Sequence, residues 1–345
     1  MTDGARRDWS PVWSADSREL SFLSDRGSTQ DLWRYVLGAD GLPKGAPQQL
    51  TSGLEMREIA FSPNGKKLAY SKFRRVRNIY RAPILKDRPA AWTDVKQLTF
   101  DEADFESLDV SRDGRLVASS DRNGNWDIWT MSINGGELQQ LTRDPAVDAG
   151  PRWKSDGAEI VFYSSRPGHR EIFVMPAGGG AARQLTHGES EKAYPAWSPD
   201  GLKIAISAAG LPVINANGSG ERFLTKLDVT LVDWSPDGKW ILFTTDSGLW
   251  RIAASGGEAE QLTKGEAFTP RWSPDGKDIY FVRQTQSNNI WRLTVDSRQE
   301  HAVTALNGLR RGLLGSVGMA VDGQYLYFTW EESVGDIWVA DIGRP

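Results

Sequence analysis

The sequence predicts an all-β chain, a β-propeller of four-stranded antiparallel blades, eight in number with seven as the alternative. Three observations predict it. A phrase seen as TPRWSPDGKDIYF at 269–281 recurs along the chain. Its copies stand 37–49 residues apart, the length of one blade. The 345 residues include 35 glycines and 15 tryptophans, which suits many tight turns and a large ring repeated at fixed positions.

The copies are SPVWSADSRELSFLS (10–24), REIAFSPNGKKLAYS (57–71), SLDVSRDGRLVASS (107–120), GPRWKSDGAEIVFYS (150–164), YPAWSPDGLKIAIS (194–207), LVDWSPDGKWILFT (231–244), the phrase at 269–281 and GSVGMAVDGQYLYFT (315–329). The residue in the tryptophan slot marks each unit: Trp13, Phe61, Val110, Trp153, Trp197, Trp234, Trp272 and Ala320. The first strand of a unit ends at this slot. The Ser-Pro-Asp-Gly after it makes a tight turn, because proline presets φ, Asp caps the turn and glycine accepts a positive φ at its close. The second strand alternates with period two, as in KDIYFV and KWILFT.

A variable loop leads to a third strand with an Asp-Ile-Trp core, as in DLWRY (31–35), NIYRA (78–82), DIWTM (127–131), EIFVM (171–175), GLWRI (248–252), NIWRL (289–293) and DIWVA (336–340). The fifth unit reads LPVIN (211–215), and Pro212 in its aromatic slot predicts a short or edge strand. A glycine hairpin such as INGGE, AGGGA or ASGGE then returns the chain to a fourth strand ending in Leu-Thr. Ten of the tryptophans fall in the first-strand and third-strand slots, a regularity that points to packing between neighbouring blades. Only Trp9, Trp92 and Trp126 lie where a sugar-binding platform could use them.

This pairing of Trp-Ser-Pro-Asp-Gly with a downstream Asp-Ile-Trp strand and a closing Leu-Thr resembles the TolB-like propeller repeat family, and the resemblance runs over the whole chain. It implies a partner-binding propeller, with periplasmic or other extracytoplasmic placement. Similar blades also screen the active sites of some peptidases and form sensor regions of membrane regulators, which supplies the alternative: a regulatory or substrate-gating propeller excised from a larger enzyme or kinase.

Fourth strands number one fewer than the units, so the last blade is expected to lack its outer strand. From the closing threonine to the next slot the spacing is 9–11 residues, and Thr2 stands 11 before Trp13. Met1-Thr2 therefore sits where a Leu-Thr belongs, and the chain is expected to begin inside a longer protein. The simpler alternative is a three-stranded last blade. Residues 1–345 are expected to form a single propeller domain.

Specificity is expected on the face carrying the connections between blades and the loops joining second and third strands, since the repeated turns occupy the other face. The between-blade connections supply Glu55, Glu58, Asp101, Glu102, Asp104, Glu106, His187, Glu189 and Tyr194. The other loops supply Arg74, Arg75 and Arg77, with Arg166, His169 and Arg170 further on. Arg310 and Arg311 lie in the longest departure from the repeat, 304–318, a candidate cap for the channel. Such charges could hold a protein or peptide partner, and equally could be solvated loop surface.

A net charge of −4 gives no electrostatic case for nucleic acid. No apolar run has the length of a membrane span, and MTDGARRDWS has no signal-peptide core. Without cysteine there is neither disulfide nor thiolate chemistry. Three scattered histidines, His169, His187 and His301, lack metal-ligand spacing, so neither metal nor cofactor is expected. Asp121, Asn123, Asn125 and Asp127 imitate a calcium loop but lack its flanking helices and closing glutamate. No Gly-x-Ser-x-Gly elbow occurs. The expectation is a monomeric, non-enzymatic scaffold; an enzyme would need acids such as Glu106 and Asp148 to converge at a channel.

Overall fold

The computed structural model describes residues 7–27, 29–283, 288–306 and 312–342. Within them regular structure is strand throughout, apart from a 3-10 turn at Trp92–Asp94. No helix of the described residues is long and apolar enough to cross a membrane.

The unit at 148–184 shows how the repeat folds. Strands Asp148–Trp153, Glu159–Ser164, Glu171–Pro176 and Arg183–Gln184 pair antiparallel in chain order. Five further sheets repeat this order or its reverse.

The Ser-Pro-Asp-Gly turn is a small hydrogen-bond device. At 235–240 the Ser235 hydroxyl donates to Asp237 Oδ1 at 2.6 Å and accepts the Trp240 amide at 2.9 Å. The Lys239 amide donates to the same carboxylate at 3.0 Å, and Gly238 closes the turn at φ +71°. The Asp-Ile-Trp and Leu-Thr phrases are halves of a second device. The Thr142 hydroxyl donates to Asp127 Oδ1 at 2.8 Å and accepts the Ile128 amide at 3.0 Å, tying the start of the third strand to the end of the fourth. Thr51 repeats this with Asp31, and Thr304 with Asn289. The strand at Pro212–Asn215 is short, as expected, but is no edge: it pairs on both sides, with Pro212 at its first position.

The chain divides into two compact units, residues 1–75 with 333–345, and residues 76–332. In the second, six sheets present the innermost strands Phe105–Val110, Asp148–Trp153, Ala193–Trp197, Thr230–Trp234, Phe268–Trp272 and Gly312–Val321. Each neighbours the next, and the last neighbours the first, so the ring closes on six. Aromatic slots fill the gaps between blades: Trp153 packs on Val117 and Ile128 of the preceding blade, and Trp234 on Ala205 and Val213. The guanidinium of Arg115 lies 4.5 Å from the Trp153 ring, covering it from that same preceding blade.

Where eight blades were expected in one ring, the ring has six, because the second and eighth repeats part their strands. Lys67–Pro83 and Tyr325–Asp341 each run 17 residues straight through the loop that should turn second strand into third. In the second unit 312–321 and 325–332 therefore take as outer strands 76–83 and Lys96–Gln97, with Tyr80 opposite Gln97. In the first unit 333–341 pairs with 67–75, whose other side carries Met56–Phe61. A second sheet there holds Asp8–Trp13, Glu19–Ser24, Asp31–Val36 and Gln48–Gln49.

Candidate functional site

Five of the six innermost strands of the ring bend at the same place. Register shifts interrupt the pairing two to three residues before the slot, and the bulged residue has a positive φ: Ser107 at 54°, Gly150 at 66°, Tyr194 at 41°, Leu231 at 45° and Thr269 at 50°. Glycine is required at 150, since a Cβ there would stand 2.8 Å from the Tyr163 ring. Non-glycine residues held in this conformation cost of order 1–3 kcal/mol each and persist where the surrounding structure fixes them. Bulges of this kind re-aim the side chains next in the strand.

Several of those side chains are charged. The residue just before the slot is Asp109, Arg152, Ala196, Asp233, Arg271 and Met319 around the ring. Arg152 bonds Asp233 through Nη2 and has Asp109 3.5 Å from Nε. Each aspartate also caps the next blade: Asp109 accepts the Trp153 amide at 2.8 Å, and Asp233 accepts that of Trp272 at 2.9 Å. Burial pushes the Asp109 carboxyl up, with Arg152 and Arg271 opposing. The two aspartates hold the Arg152 guanidinium above its ordinary value against its own burial. Arg271 is 7% exposed and brought down to about 10, by burial first and by Arg152 second. Among the described residues it bonds two carbonyls, Pro270 O at 3.0 Å and Leu108 O at 3.4 Å.

Residues of five innermost strands line one cavity of about 20 Å³ beside this cluster. They come from the middle of those strands, around the bulges and the charged residues that follow them. Larger grooves, about 450 and 500 Å³, lie between adjacent Ser-Pro-Asp-Gly turns on the other face, lined by the turn residues themselves.

The structure joins some of the charges singled out in the sequence and separates others. Arg77 gathers Glu106, Asp104 at 3.7 Å and Glu331 at 3.0 Å, so the basic and acidic loops meet in one ion cluster. Burial pushes Asp104 up despite Arg77. Arg166 bonds Asp148 at 2.5 Å and Asp144 at 3.1 Å while lying 5.2 Å from the Phe173 ring. His169 faces Glu171 at 3.1 Å, and Arg170 lies 5.5 Å from the Tyr163 ring. Asp101 bonds Arg122 at 3.0 Å. Glu102, His187 and Glu189 are exposed, and Tyr194 lines the cavity with its ring edge-on to Tyr163. Glu55 and Glu58 are exposed in the other unit. The side chains of Arg74 and Arg75, and the whole of Arg310 and Arg311, lie outside the described residues, as does Thr2.

Two further readings are revised. The stretch 304–318 supplies an innermost strand from 312 on, and its start pairs in parallel with Ala90–Ala91. Trp92 is no platform: its indole donates to Leu306 O at 2.7 Å and its ring meets Trp330 edge-on at 4.7 Å. The calcium-like loop spends its side chains internally, Asp127 on Thr142 and Asn125 on the carbonyls of Asp144 and Ala146. Glu106 and Asp148 sit in separate ion pairs on different blades. Among the described residues no group of three His, Asp or Glu could hold a metal ion.

Sequence reasoning passed over Asp109, Arg152, Asp233 and Arg271. The signal was present: PRW occurs twice, and LDV and VDW likewise place a charge just before the slot.

Residues 56–225 match the TolB beta propeller domain family. Curated relatives include an uncharacterised peptidase, YuxL, of Bacillus subtilis, 26% identical over 163 residues, covering 47% of this chain and 22% of that one. The Tol-Pal system protein TolB of Anaeromyxobacter dehalogenans is 29% identical over 145 residues, covering 42% and 21%. The chain thus spans less than half the length of the curated relatives it matches. A solved structure assigned as a TolB from Agrobacterium tumefaciens superposes with a TM-score of 0.61 at 19% identity, covering 76% of this chain and 99% of that one. A chain of a nidogen/laminin complex gives 0.55 at 14%, covering 66% and 93%.

Proposed function

Because the chain belongs to the TolB-like β-propellers, we propose that it is a non-enzymatic binding module that engages a protein or peptide through the loop-bearing end of its six-bladed ring. The observation that carries this reading is the use of charge there. The ionisable side chains of the loops hold one another, Arg77 with its three carboxylates and Arg166 with Asp144 and Asp148, so the face is rigid and pre-organised. A cavity lined by five of the inner strands lies within the same ring. A similar fold occurs in a complex of two proteins, nidogen and laminin.

The test is selection of displayed peptides on the immobilised chain, followed by calorimetry and hydrogen exchange with the enriched sequences. Stoichiometric binding that protects 101–106, 144–148 and 187–194 is expected. Failure to enrich any peptide, protection confined to the Ser-Pro-Asp-Gly turns, or cleavage of the bound peptide would overturn the reading. The match to the peptidase YuxL favours a second reading, a propeller that gates a hydrolase. A hydrolase domain encoded contiguously with this segment would decide for it.

A further inference from the structure

We propose that the niche between Ser107 and Arg271 in the ring is a carboxylate-binding site. This deepens the binding-module reading and rests on it. Ser107 and Arg271 line the same cavity, and Arg271 Nη2 reaches Leu108 O, the carbonyl next to Ser107. Both side chains are more than nine-tenths buried. Ser107 Oγ and Arg271 Nε are buried polar atoms without a hydrogen-bond partner. A buried donor without a partner costs about 1–3 kcal/mol, and a hydroxyl and a guanidinium on the wall of one cavity supply a donor pair for an oxyanion.

Charge selects the same ligand. Arg152 is engaged directly by both aspartates of the cluster, whereas Arg271 meets them only through space and bonds neutral carbonyls, so its guanidinium is the one with a nitrogen available to an incoming group. Size narrows the choice. One water needs roughly 10–15 Å³, so about 20 Å³ admits one or two oxygen-sized atoms. The two oxygens of a carboxylate match that space.

The cluster of Asp109, Asp233, Arg152 and Arg271 is neutral as it stands, and a bound carboxylate makes it negative. Asp109 faces Arg152, Arg271, Asp233 and the Trp153 amide, and its burial already favours the protonated form. Proton uptake at Asp109 would offset the added charge, so affinity is expected to rise as pH falls.

The carboxylate could be that of a peptide or of a free small acid. The probes are sodium acetate, N-acetyl-diglycine with a free carboxylate, and its amide, titrated by calorimetry into the full chain. The expected result is binding of the free-carboxylate peptide, at least tenfold weaker binding of the amide, and a tenfold or greater loss in Arg271→Met. Ser107→Ala, a small change that leaves the strand intact, is expected to weaken binding several-fold. Acetate binding as tightly as the peptide identifies the small acid as the source; a peptide advantage identifies a chain terminus or acidic side chain. Equal binding of acid and amide, unchanged affinity in Ser107→Ala, or equal competition by phosphate would overturn the proposal. Display-selected peptides that bind regardless of Arg271 and of their carboxylates would overturn it while leaving the binding module standing.

Discussion

Replacing Asp233 tests whether the charge cluster holds the ring together. Its side chain is 8% exposed and does two things: it neutralises Arg152 and accepts the Trp272 amide of the next blade. Stripping a buried ion of one partner costs about 3–5 kcal/mol. Arg152 retains Asp109 at 3.5 Å, which places the cost at the low end. An amide left unpaired inside the ring adds about 1–3 kcal/mol. Asp233→Ala is therefore expected to cost about 4–6 kcal/mol, a large part of the 5–15 typical of a folded domain. Asp233→Asn keeps a carbonyl oxygen for the Trp272 amide and loses only the charge, so about 3 kcal/mol is expected. Urea unfolding followed by tryptophan fluorescence measures both. If both variants stay within about 1 kcal/mol of the parent, or if alanine and asparagine cost the same, the cluster does not act as argued.

Three further outcomes concern the turns and strand ends. Gly248→Ala puts a Cβ 2.3 Å from Thr263 O at φ +134°, whereas Gly257→Ala at φ +127° meets nothing within 4 Å; thermal unfolding should show the first as the more damaging by at least 1 kcal/mol or so. Thr142→Val strips Asp127 and the Ile128 amide of a partner and is expected to cost about 1–3 kcal/mol. Thr263→Val should cost less, because the strand opposite opens with Gly248 in place of a carboxylate and the Leu249 amide is 3.4 Å away. The bond from Ser235, with the Lys239 amide, holds the Asp237 carboxyl below its ordinary 3.8. Its contribution is present above that value and lost as pH falls through the folded one, so the stability gap between parent and Asp237→Asn should shrink on acidification. A gap that stays constant, or widens, would contradict that sign.

Much of this architecture was legible because the signals are local. Trp-Ser-Pro-Asp-Gly carries its own turn chemistry within six residues, and the slot tryptophans of the ring, Trp153, Trp197, Trp234 and Trp272, each pack into a core cluster, whereas Trp13 in the other unit is 54% exposed. The paired function of Asp127 and Thr142 could be read as a recurrence but not as a hydrogen bond. The charge cluster was less accessible, since Arg152 and Asp233 are 81 residues apart and the partnership depends on ring closure. The ion cluster of Arg77 hid for the same reason: Glu331 comes from 254 residues away.

The blade count failed for a reason that belongs to repeats themselves. A blade recognises its outer strands through the period-two pattern and the third-strand to fourth-strand device, and every unit carries nearly the same versions of both. NIYRA at 78–82 and DIWVA at 336–340 are therefore interchangeable partners for a second strand. Which one is taken depends on the loop at 72–77 and on that at 331–335. Here both run straight, so the strands are traded and the six-bladed ring closes on 76–83. Arg77 favours the straight form: its bonds to Glu331 and Glu106 lie at the crossing and join the two long strands to the neighbouring blade. Arg77→Ala should therefore loosen this junction first, seen as faster amide exchange at 76–80 and 327–332 with the strands at 159–164 and 241–244 unchanged. Uniform exchange across the ring would show that the repeat pattern, without Arg77, is enough to fix the trade.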